Sequence, residues 1–215
     1  MITRFTIFGE RCSGTNYLQE LITTNFDLEF TSEFGWKHFF KDDIYYDNET
    51  ALFIGIIRNP IAWLNSFYQE KHHVPKENLS SLRAFLFNKW YSIDNGIIIN
   101  DDKNWITNDF FKNIFELRNI KNDYLINIMP QKVKNYSLIR YEDLAEDHHK
   151  VLDQLATRFN LVPKFKQYVQ ITYYKQEKKR NFTGQKAIQF TQSEINTIIK
   201  KINIKQESYL GYNFS

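Results

Sequence analysis

The stretch that decides the fold is FTIFGERCSGTNYLQELI, residues 5–22. Its first residues, Phe5 to Phe8, alternate in the way that is typical of a strand, and they run into a loop that begins at Gly9. After this loop, apolar residues recur with helical spacing on one face, at Tyr17, Leu18, Leu21 and Ile22. The stretch therefore predicts a strand, a glycine-containing loop and a helix in direct succession.

A second strand with a following helix is predicted around residue 58. Ala51 to Ile57 is an uninterrupted apolar run of strand length, which is typical of a central parallel strand covered on both faces. Asn59 then suits the N-cap of a helix and Pro60 its first turn. This helix should continue to about Lys71.

The rest of the chain continues the alternation of strands and helices. The pattern predicts these further elements: a short strand at Leu28 to Phe30, helices at Leu82 to Tyr91 and at Asn108 to Ile128 with Asn108 as N-cap, a strand at Tyr136 to Arg140, a helix at Asp147 to Phe159, and a last helix after the capping box Thr191 to Glu194. Such alternation predicts an α/β fold with a central, mainly parallel sheet flanked by helices. Because no linker composition divides the 215 residues, we expect a single domain over residues 1–215.

Composition limits the classes of function. The 28 basic and 25 acidic residues leave a net charge of +3, too small to predict nucleic acid as the main partner. The single cysteine excludes an internal disulfide framework, and the adjacent histidine pairs His72-His73 and His148-His149 suit a shared metal ion poorly, so no metal site is predicted. No stretch approaches the roughly 20 apolar residues of a membrane span, and the N-terminus is too polar for a signal peptide. We therefore expect no membrane span and a cytoplasmic location.

The loop after the first strand has the chemistry of an anion site. Gly9 and Gly14 have the G-x-x-x-x-G spacing of a loop whose backbone N–H groups face a phosphate at a helix N-terminus. An NTP-hydrolysing loop continues with Gly-Lys-[Ser/Thr], whereas this chain continues with Thr15 and Asn16 after Gly14. The lysine for a triphosphate is missing, and Arg11 supplies a guanidinium that can form paired hydrogen bonds to an oxyanion.

With these features the chain resembles the sulfotransferase superfamily. Gly9 to Leu18 looks like the family's loop for the 5′-phosphosulfate of the donor, 3′-phosphoadenosine 5′-phosphosulfate (PAPS), and Arg58 to Ser66 is similar to its 3′-phosphate segment. The resemblance implies a three-layer, P-loop-NTPase-like α/β fold. It also implies transfer of a sulfuryl group from PAPS to an acceptor hydroxyl or amine, with adenosine 3′,5′-bisphosphate as product and no metal.

The resemblance also implies the donor-binding residues. In the cytosolic branch a lysine immediately precedes Ser-Gly-Thr, whereas here Cys12 has that place and Arg11 stands one residue earlier; we assign the catalytic cation to Arg11. The implied 3′-phosphate ligands are Arg58 and Ser66. The residues of the loop expected to bind the donor are Arg11, Cys12, Ser13, Gly14, Thr15 and Asn16.

Two further segments resemble the family. Trp36-Lys37-His38 is similar to its Lys-Thr-His segment, with one residue fewer, which implies His38 as general base and Lys37 as a second catalytic cation. The basic residues Lys175, Lys178, Lys179 and Arg180 lead towards Gly184 and look like the loop that closes over the 3′-phosphate. From that loop we take Arg180 and Gly184 as donor-binding residues.

The motif Tyr136 to Leu144 is interpreted as structural. Its Glu142 and Asp143 are adjacent, so their side chains diverge, and their place at a helix N-terminus is explained by the helix dipole. The aromatic residues Trp90, Tyr91 and Trp105 could stack on an acceptor sugar or lie in the core.

Other functions stay open. A small P-loop kinase fits the loop and the alternation but should carry Gly-Lys-[Ser/Thr], and a non-catalytic nucleotide-binding module on the same fold fits as well. We expect a small-molecule or glycan acceptor, with a carbohydrate preferred. The sequence predicts no oligomeric state.

Overall fold

The structure, a computed structural model, describes residues 1–38, 40, 49–174, 180, 181 and 187–214. The strands are β1 (Arg4–Phe8), β2 (Glu29–Phe30), β3 (Ala51–Ile57), β4 (Ser92–Asp94), β5 (Ile97–Ile99), β6 (Tyr136–Arg140), β7 (Tyr173–Tyr174) and β8 (Arg180–Asn181). The α-helices are α1 (Thr15–Asn25), α2 (Pro60–Glu70), α3 (Leu82–Phe87), α4 (Ile114–Asp123), α5 (Met129–Lys132), α6 (Tyr141–Glu146), α7 (His148–Phe159), α8 (Gln192–Ile199) and α9 (Ile204–Tyr209). A 3₁₀ turn covers Lys76–Leu79 and a π-helical turn covers Tyr124–Ile128.

The chain groups into two compact units, each built from two separate stretches. The first unit contains Met1–Arg58 and Leu125–Lys186, and the second contains Asn59–Tyr124 and Ala187–Ser215. No helix among the described residues is long and apolar enough to span a membrane.

The first unit is built around a parallel sheet with the strand order β2-β1-β3-β6. β3 pairs with β1 on one side and β6 on the other, with Phe8 opposite Gly55 and Ile57 opposite Arg140. All residues of β3 are buried, which explains why its sequence is continuously apolar rather than alternating. The predicted α/β fold, with a mainly parallel sheet and Ala51 to Ile57 at its interior, is confirmed.

Helices α1, α6 and α7 supply the apolar partners of this sheet. Their inward positions, including Leu18, Leu21, Leu144 and Leu152, form one core cluster with the apolar residues of β1 and β3. Because the strands are parallel, their carboxyl ends lie at one edge of the sheet. The loops that follow β1 and β3 both start at this edge.

The second unit has an aromatic core. Asn59 caps α2 by accepting from the N–H groups of Ile61 and Ala62, and Pro60 is its first residue, as predicted. The rings of Phe67, Phe85 and Trp90 meet edge to face in the interior. The predicted capping box is also present, at the start of α8.

Two predicted helix boundaries are wrong. Asn108 is not an N-cap, because it lies in a loop with a φ of 60°. The N-cap of α4 is Asn113, five residues later, whose side chain accepts from the N–H groups of Phe115 and Glu116. Asparagine suits both a cap and a left-handed turn, so its presence did not decide between them. The helix predicted at Leu82 to Tyr91 ends at Phe87, because Trp90 leaves it and pairs with Phe111.

Candidate active site

The loop between β1 and α1 is held by backbone geometry that requires glycine at both ends. A Cβ at Gly9 would lie 2.6 Å from the carbonyl oxygen of Ile56. Gly14 has a φ of +97°, and a Cβ there would lie 2.5 Å from the ring of Tyr141. Between them, the Ser13 N–H donates to the Glu10 carbonyl at 3.1 Å and closes a tight turn. The spacing of the two glycines thus reflects close packing at each end of the loop.

The N-terminus of α1 has the electrostatic character of an anion site. Among the described residues no side chain caps α1, and its first turn contains no acidic residue. The first N–H groups of a helix have no partner within the helix, and the helix dipole favours negative charge beside them. The loop and the start of α1 therefore have the properties of an oxyanion site.

Arg11 is buried together with Glu10. One oxygen of Glu10, Oε1, accepts from Nε of Arg11 at 2.6 Å and from the backbone N–H of Arg11 at 2.7 Å, and the side chains are 9% and 4% exposed. The ion pair fixes the orientation of the guanidinium inside the loop, and it also balances part of its charge. The sequence pattern predicted no role for Glu10, although an acid directly before the arginine of the loop was a readable signal.

Lys37 and His38 lie against the same loop. The Gly9 N–H donates to the Lys37 carbonyl at 3.0 Å, and Nζ of Lys37 donates to Oδ1 of Asn16. Nδ1 of His38 lies 2.6 Å from the Gly9 carbonyl oxygen. Because a carbonyl only accepts, Nδ1 carries the proton, and Nε2 is the ring nitrogen with the lone pair.

Burial keeps His38 neutral. It lowers the pKa of His38 to about 3, while the nearby Glu10 carboxylate acts in the opposite direction and Arg11 lowers the pKa further. The ring also meets that of Trp36 edge to face at 4.8 Å. His38 is thus unprotonated at neutral pH, as a general base must be, but it is a weak base unless a negative charge approaches it.

Arg58 joins the second motif to the first. Its side chain is buried, Nη1 donates to the carbonyl of Cys12 at 3.0 Å, and the guanidinium lies over the ring of Tyr141 at 4.3 Å. Cys12 presents this carbonyl from a left-handed conformation with a φ of 64°. Two segments that are 46 residues apart in sequence therefore meet in one unit.

Tyr141 is a second residue that the sequence reasoning did not assign to the site. It packs against Gly14 on one side and Arg58 on another. The sequence predicts a structural role for the motif Tyr136 to Leu144. Its Tyr141 contacts both predicted anion-binding elements, the loop at Gly14 and the side chain of Arg58. Asp143 pairs with Arg140 at 2.6 Å, in the first turn of α6.

Three further residues are predicted to bind the donor, namely Ser66, Arg180 and Gly184. Ser66 is buried in α2, in the second unit. Arg180 begins β8, where its backbone is paired with that of Tyr174, and Gly184 lies outside the described residues. The structure thus brings together the loop, Lys37, His38 and Arg58. The roles of Ser66, Arg180 and Gly184 stay predictions.

In the described part of the chain, no group of three or more His, Cys, Asp or Glu side chains is arranged to hold a metal ion.

Comparison with known proteins gives weak structural similarity and no match in sequence. No family model matches the chain, and no curated protein is similar to it in sequence. The crystal structure of mouse sulfotransferase SULT7A1 complexed with PAP is similar with a TM-score of 0.37 and 14% identity, over 95% of this chain. The chain spans 65% of the length of that mouse protein. A similarity of this size assigns neither a family nor an activity.

Proposed function

We propose that the chain transfers a sulfuryl group from PAPS to an acceptor hydroxyl or amine. The observation that carries the proposal is the hydrogen bond from Arg58 to the Cys12 carbonyl, which joins the two predicted donor-binding motifs. Lys37 and His38 contact the same loop through Asn16 and Gly9. Predicted site residues from three separate stretches therefore meet at the loop between β1 and α1.

The residues at this loop fit a donor with two anionic groups. Among the described residues, the cationic side chains of Arg11, Lys37 and Arg58 contact the loop or belong to it, and so does the carboxylate of Glu10. Together with the uncapped start of α1, they form a positive environment at the end of β1. Arg11 and the N–H groups of the loop would hold the 5′-phosphosulfate, and Arg58 would hold the 3′-phosphate.

The chain's own residues would then act as follows. When bound, PAPS supplies the sulfuryl group, and adenosine 3′,5′-bisphosphate is released. Nε2 of His38 takes the proton of the acceptor hydroxyl, because Nδ1 is committed to the Gly9 carbonyl. A nearby phosphosulfate raises the pKa of His38 above its value in the free protein, so base strength increases when the site is filled. Lys37 and Arg11 stabilise negative charge that develops beside the loop.

A carbohydrate hydroxyl is the acceptor that we propose. Of the three aromatic residues considered for stacking, Trp90 is fully buried and belongs to the core. Tyr91 is half-buried and its ring contacts that of Phe110, whereas Trp105 contacts Tyr124. Tyr91 and Trp105 are both half-buried, so these two are the candidates that remain for a sugar face.

Calorimetry with adenosine 3′,5′-bisphosphate and with ATP and Mg²⁺ tests the proposal. We expect the bisphosphate to bind and ATP to bind more weakly, because Gly14 is followed by Thr15 and not by the lysine that a triphosphate requires. Preference for ATP and Mg²⁺ would favour the kinase alternative. Binding of the bisphosphate without turnover of PAPS, across a panel of glycan acceptors, would favour the non-catalytic module.

A further inference from the structure

The loop between β1 and α1 contains a buried acid, Glu10, at the place where an anion is expected to bind. Its backbone carbonyl accepts from the Ser13 N–H at 3.1 Å, so Glu10 forms part of the tight turn of the loop. The residue is 8% exposed. A buried carboxylate beside an anion site lowers the affinity of that site, because like charges repel. The negative charge of Glu10 therefore opposes the binding that the rest of the loop favours.

The carboxylate of Glu10 fixes the side chain of Arg11. Oε1 of Glu10 accepts from both Nε and the backbone N–H of Arg11. One oxygen atom thus links the guanidinium to the backbone of its own residue. A long side chain that is already fixed loses less rotamer freedom when it binds an oxyanion, so the entropic cost of binding is lower. Orientation of Arg11 is the first effect of Glu10.

Glu10 also acts on His38, which is buried on the same side of the sheet edge. Nδ1 of His38 lies 2.6 Å from the carbonyl oxygen of Gly9, the residue directly before Glu10. The Glu10 carboxylate raises the pKa of His38, whereas the Arg11 and Lys37 cations lower it. Glu10 therefore stabilises the imidazolium that forms when His38 takes a proton, and it offsets part of the effect of the two cations.

We propose that Glu10 is a positioning residue of the sulfuryl-transfer site, whose negative charge supports proton transfer to His38 and lowers the affinity of the loop for anions. The part that concerns transfer rests on the proposed function. In that transfer the acceptor oxygen forms a bond to sulfur, and the bond from sulfur to the 5′-phosphate oxygen breaks with its electron pair on that oxygen. The acceptor proton goes to Nε2 of His38. Glu10 touches neither donor nor acceptor in this proposal, because it acts through Arg11 and His38.

Two substitutions separate the charge of Glu10 from its shape. Glu10→Gln keeps the size of the side chain and an acceptor oxygen for Arg11, but it removes the charge. Glu10→Asp keeps the charge on a side chain that is one methylene shorter. If the charge matters, the Asp variant resembles wild type more than the Gln variant does. If Glu10 only supports the shape of the loop, the Gln variant is the closer of the two.

Steady-state kinetics and calorimetry measure the two effects of the charge. In Glu10→Gln we expect kcat at saturating PAPS to fall about tenfold, because the imidazolium of His38 loses a stabilising charge. We expect the same variant to bind adenosine 3′,5′-bisphosphate about tenfold more tightly than wild type. Tighter binding of substrate and transition state alike does not raise kcat, so the two changes do not cancel. Glu10→Asp should keep both quantities within about threefold of wild type.

Inorganic pyrophosphate is the probe that tests anion binding without PAPS. We expect Glu10→Gln to bind pyrophosphate about tenfold more tightly than wild type. The matched control is Asp143→Asn, which removes the charge of another acid that pairs with an arginine in the same unit, Arg140. This exposed pair should leave kcat and both affinities within about twofold of wild type.

The outcomes are distinct. Slower turnover together with tighter anion binding in Glu10→Gln, with both restored in Glu10→Asp, supports the proposal. Weaker anion binding or unchanged turnover in Glu10→Gln overturns it, and so does greater impairment of the Asp variant. Should Glu10→Gln fail to fold, loss of turnover in Glu10→Asp still contradicts a role of the charge, and retained turnover supports it. If wild type binds pyrophosphate but does not turn over PAPS, the proposed function fails and the role of Glu10 in transfer fails with it; the pyrophosphate affinities then decide the effect on anion binding alone.

Discussion

His38 shows how burial changes the chemistry of one residue. A solvent-exposed histidine is half protonated near pH 6.5, whereas burial and the cations Arg11 and Lys37 lower the pKa of His38 to about 3. The unfolded chain therefore binds a proton between these two pH values that the folded chain does not bind. By linkage, the free energy of unfolding falls as the pH falls through this range, and the stabilisation is complete above the unfolded pKa.

The pH dependence of stability tests this assignment. Between about pH 7 and about pH 5 we expect wild type to lose about 2 kcal/mol more unfolding free energy than His38→Asn, measured by urea denaturation. Asparagine can keep the bond to the Gly9 carbonyl, and it has no proton to gain. The lowered pKa of His148 affects both proteins equally and cancels in the difference. Equal losses in both proteins would contradict a buried, neutral His38.

His38→Asn also tests catalysis. We expect it to abolish transfer from PAPS while adenosine 3′,5′-bisphosphate still binds, because Asn has no basic nitrogen but preserves the loop contact. Unchanged turnover would exclude His38 as the base.

Arg58 should not tolerate replacement by lysine. Its planar guanidinium both donates to the Cys12 carbonyl and lies over the Tyr141 ring, and an ammonium group cannot do both. We expect Arg58→Lys to weaken binding of adenosine 3′,5′-bisphosphate by about tenfold or more in calorimetry, which is about 1.4 kcal/mol for each factor of ten. The matched control is Arg140→Lys, whose arginine pairs with Asp143 in the same unit. Equal affinities of the two variants would remove Arg58 from the site.

At the scale of elements, the junction of the loop and α1 depends on close packing. Gly14 is the N-cap of α1, has a positive φ, and leaves no room for a Cβ beside Tyr141. The same ring supports Arg58, so a shift of Tyr141 reaches the second motif as well. The start of α1, the start of α6 and the end of β3 are thus coupled through one aromatic side chain.

A pair of glycine substitutions separates the backbone effect from the packing effect. Gly96 in the β4–β5 turn also has a positive φ, of +82°, but a Cβ there would meet nothing within 4 Å. We expect Gly96→Ala to cost about 1 kcal/mol of unfolding free energy, for the backbone alone. Gly14→Ala should cost about 1 to 3 kcal/mol more, because it also overpacks against Tyr141. Equal costs in urea denaturation would mean that Tyr141 moves aside freely.

At the scale of the whole molecule, neither unit is made of continuous chain. The chain passes from one unit to the other three times, after Arg58, Tyr124 and Lys186. Each unit therefore consists of two stretches that are separated in the sequence by residues of the other unit. We propose on this ground that the 215 residues fold as the single domain expected from the sequence.

Urea denaturation with two probes tests this cooperativity. In a Trp36→Phe background the remaining tryptophans, Trp63, Trp90 and Trp105, all belong to the second unit. Tyr136→Phe destabilises the first unit by about 1 kcal/mol, since it removes the bond to the Leu125 carbonyl. We expect the fluorescence midpoint and the far-ultraviolet circular dichroism midpoint to shift by the same urea concentration. A fluorescence midpoint that stays in place would show two separate domains.

The sequence by itself determined the local elements. The succession of β1, loop and α1, the buried strand β3, and the Asn59 and Pro60 start of α2 were all predictable, because periodicity and capping depend on residues within one or two turns. The start of α4 was not, because Asn108 and Asn113 both suit a cap and only tertiary packing chooses between them.

Only the tertiary structure decided how the site is assembled. Three contacts join residues up to 144 positions apart. Arg58 donates to the Cys12 carbonyl, Tyr141 packs on Gly14, and Asn25 donates to the carbonyl of Val169. The low pKa of His38 has the same origin, since burial is a property of the folded chain. Local patterns identify which residues can carry the chemistry. Whether they meet, and in what state of charge, depends on packing between segments that the sequence alone does not place.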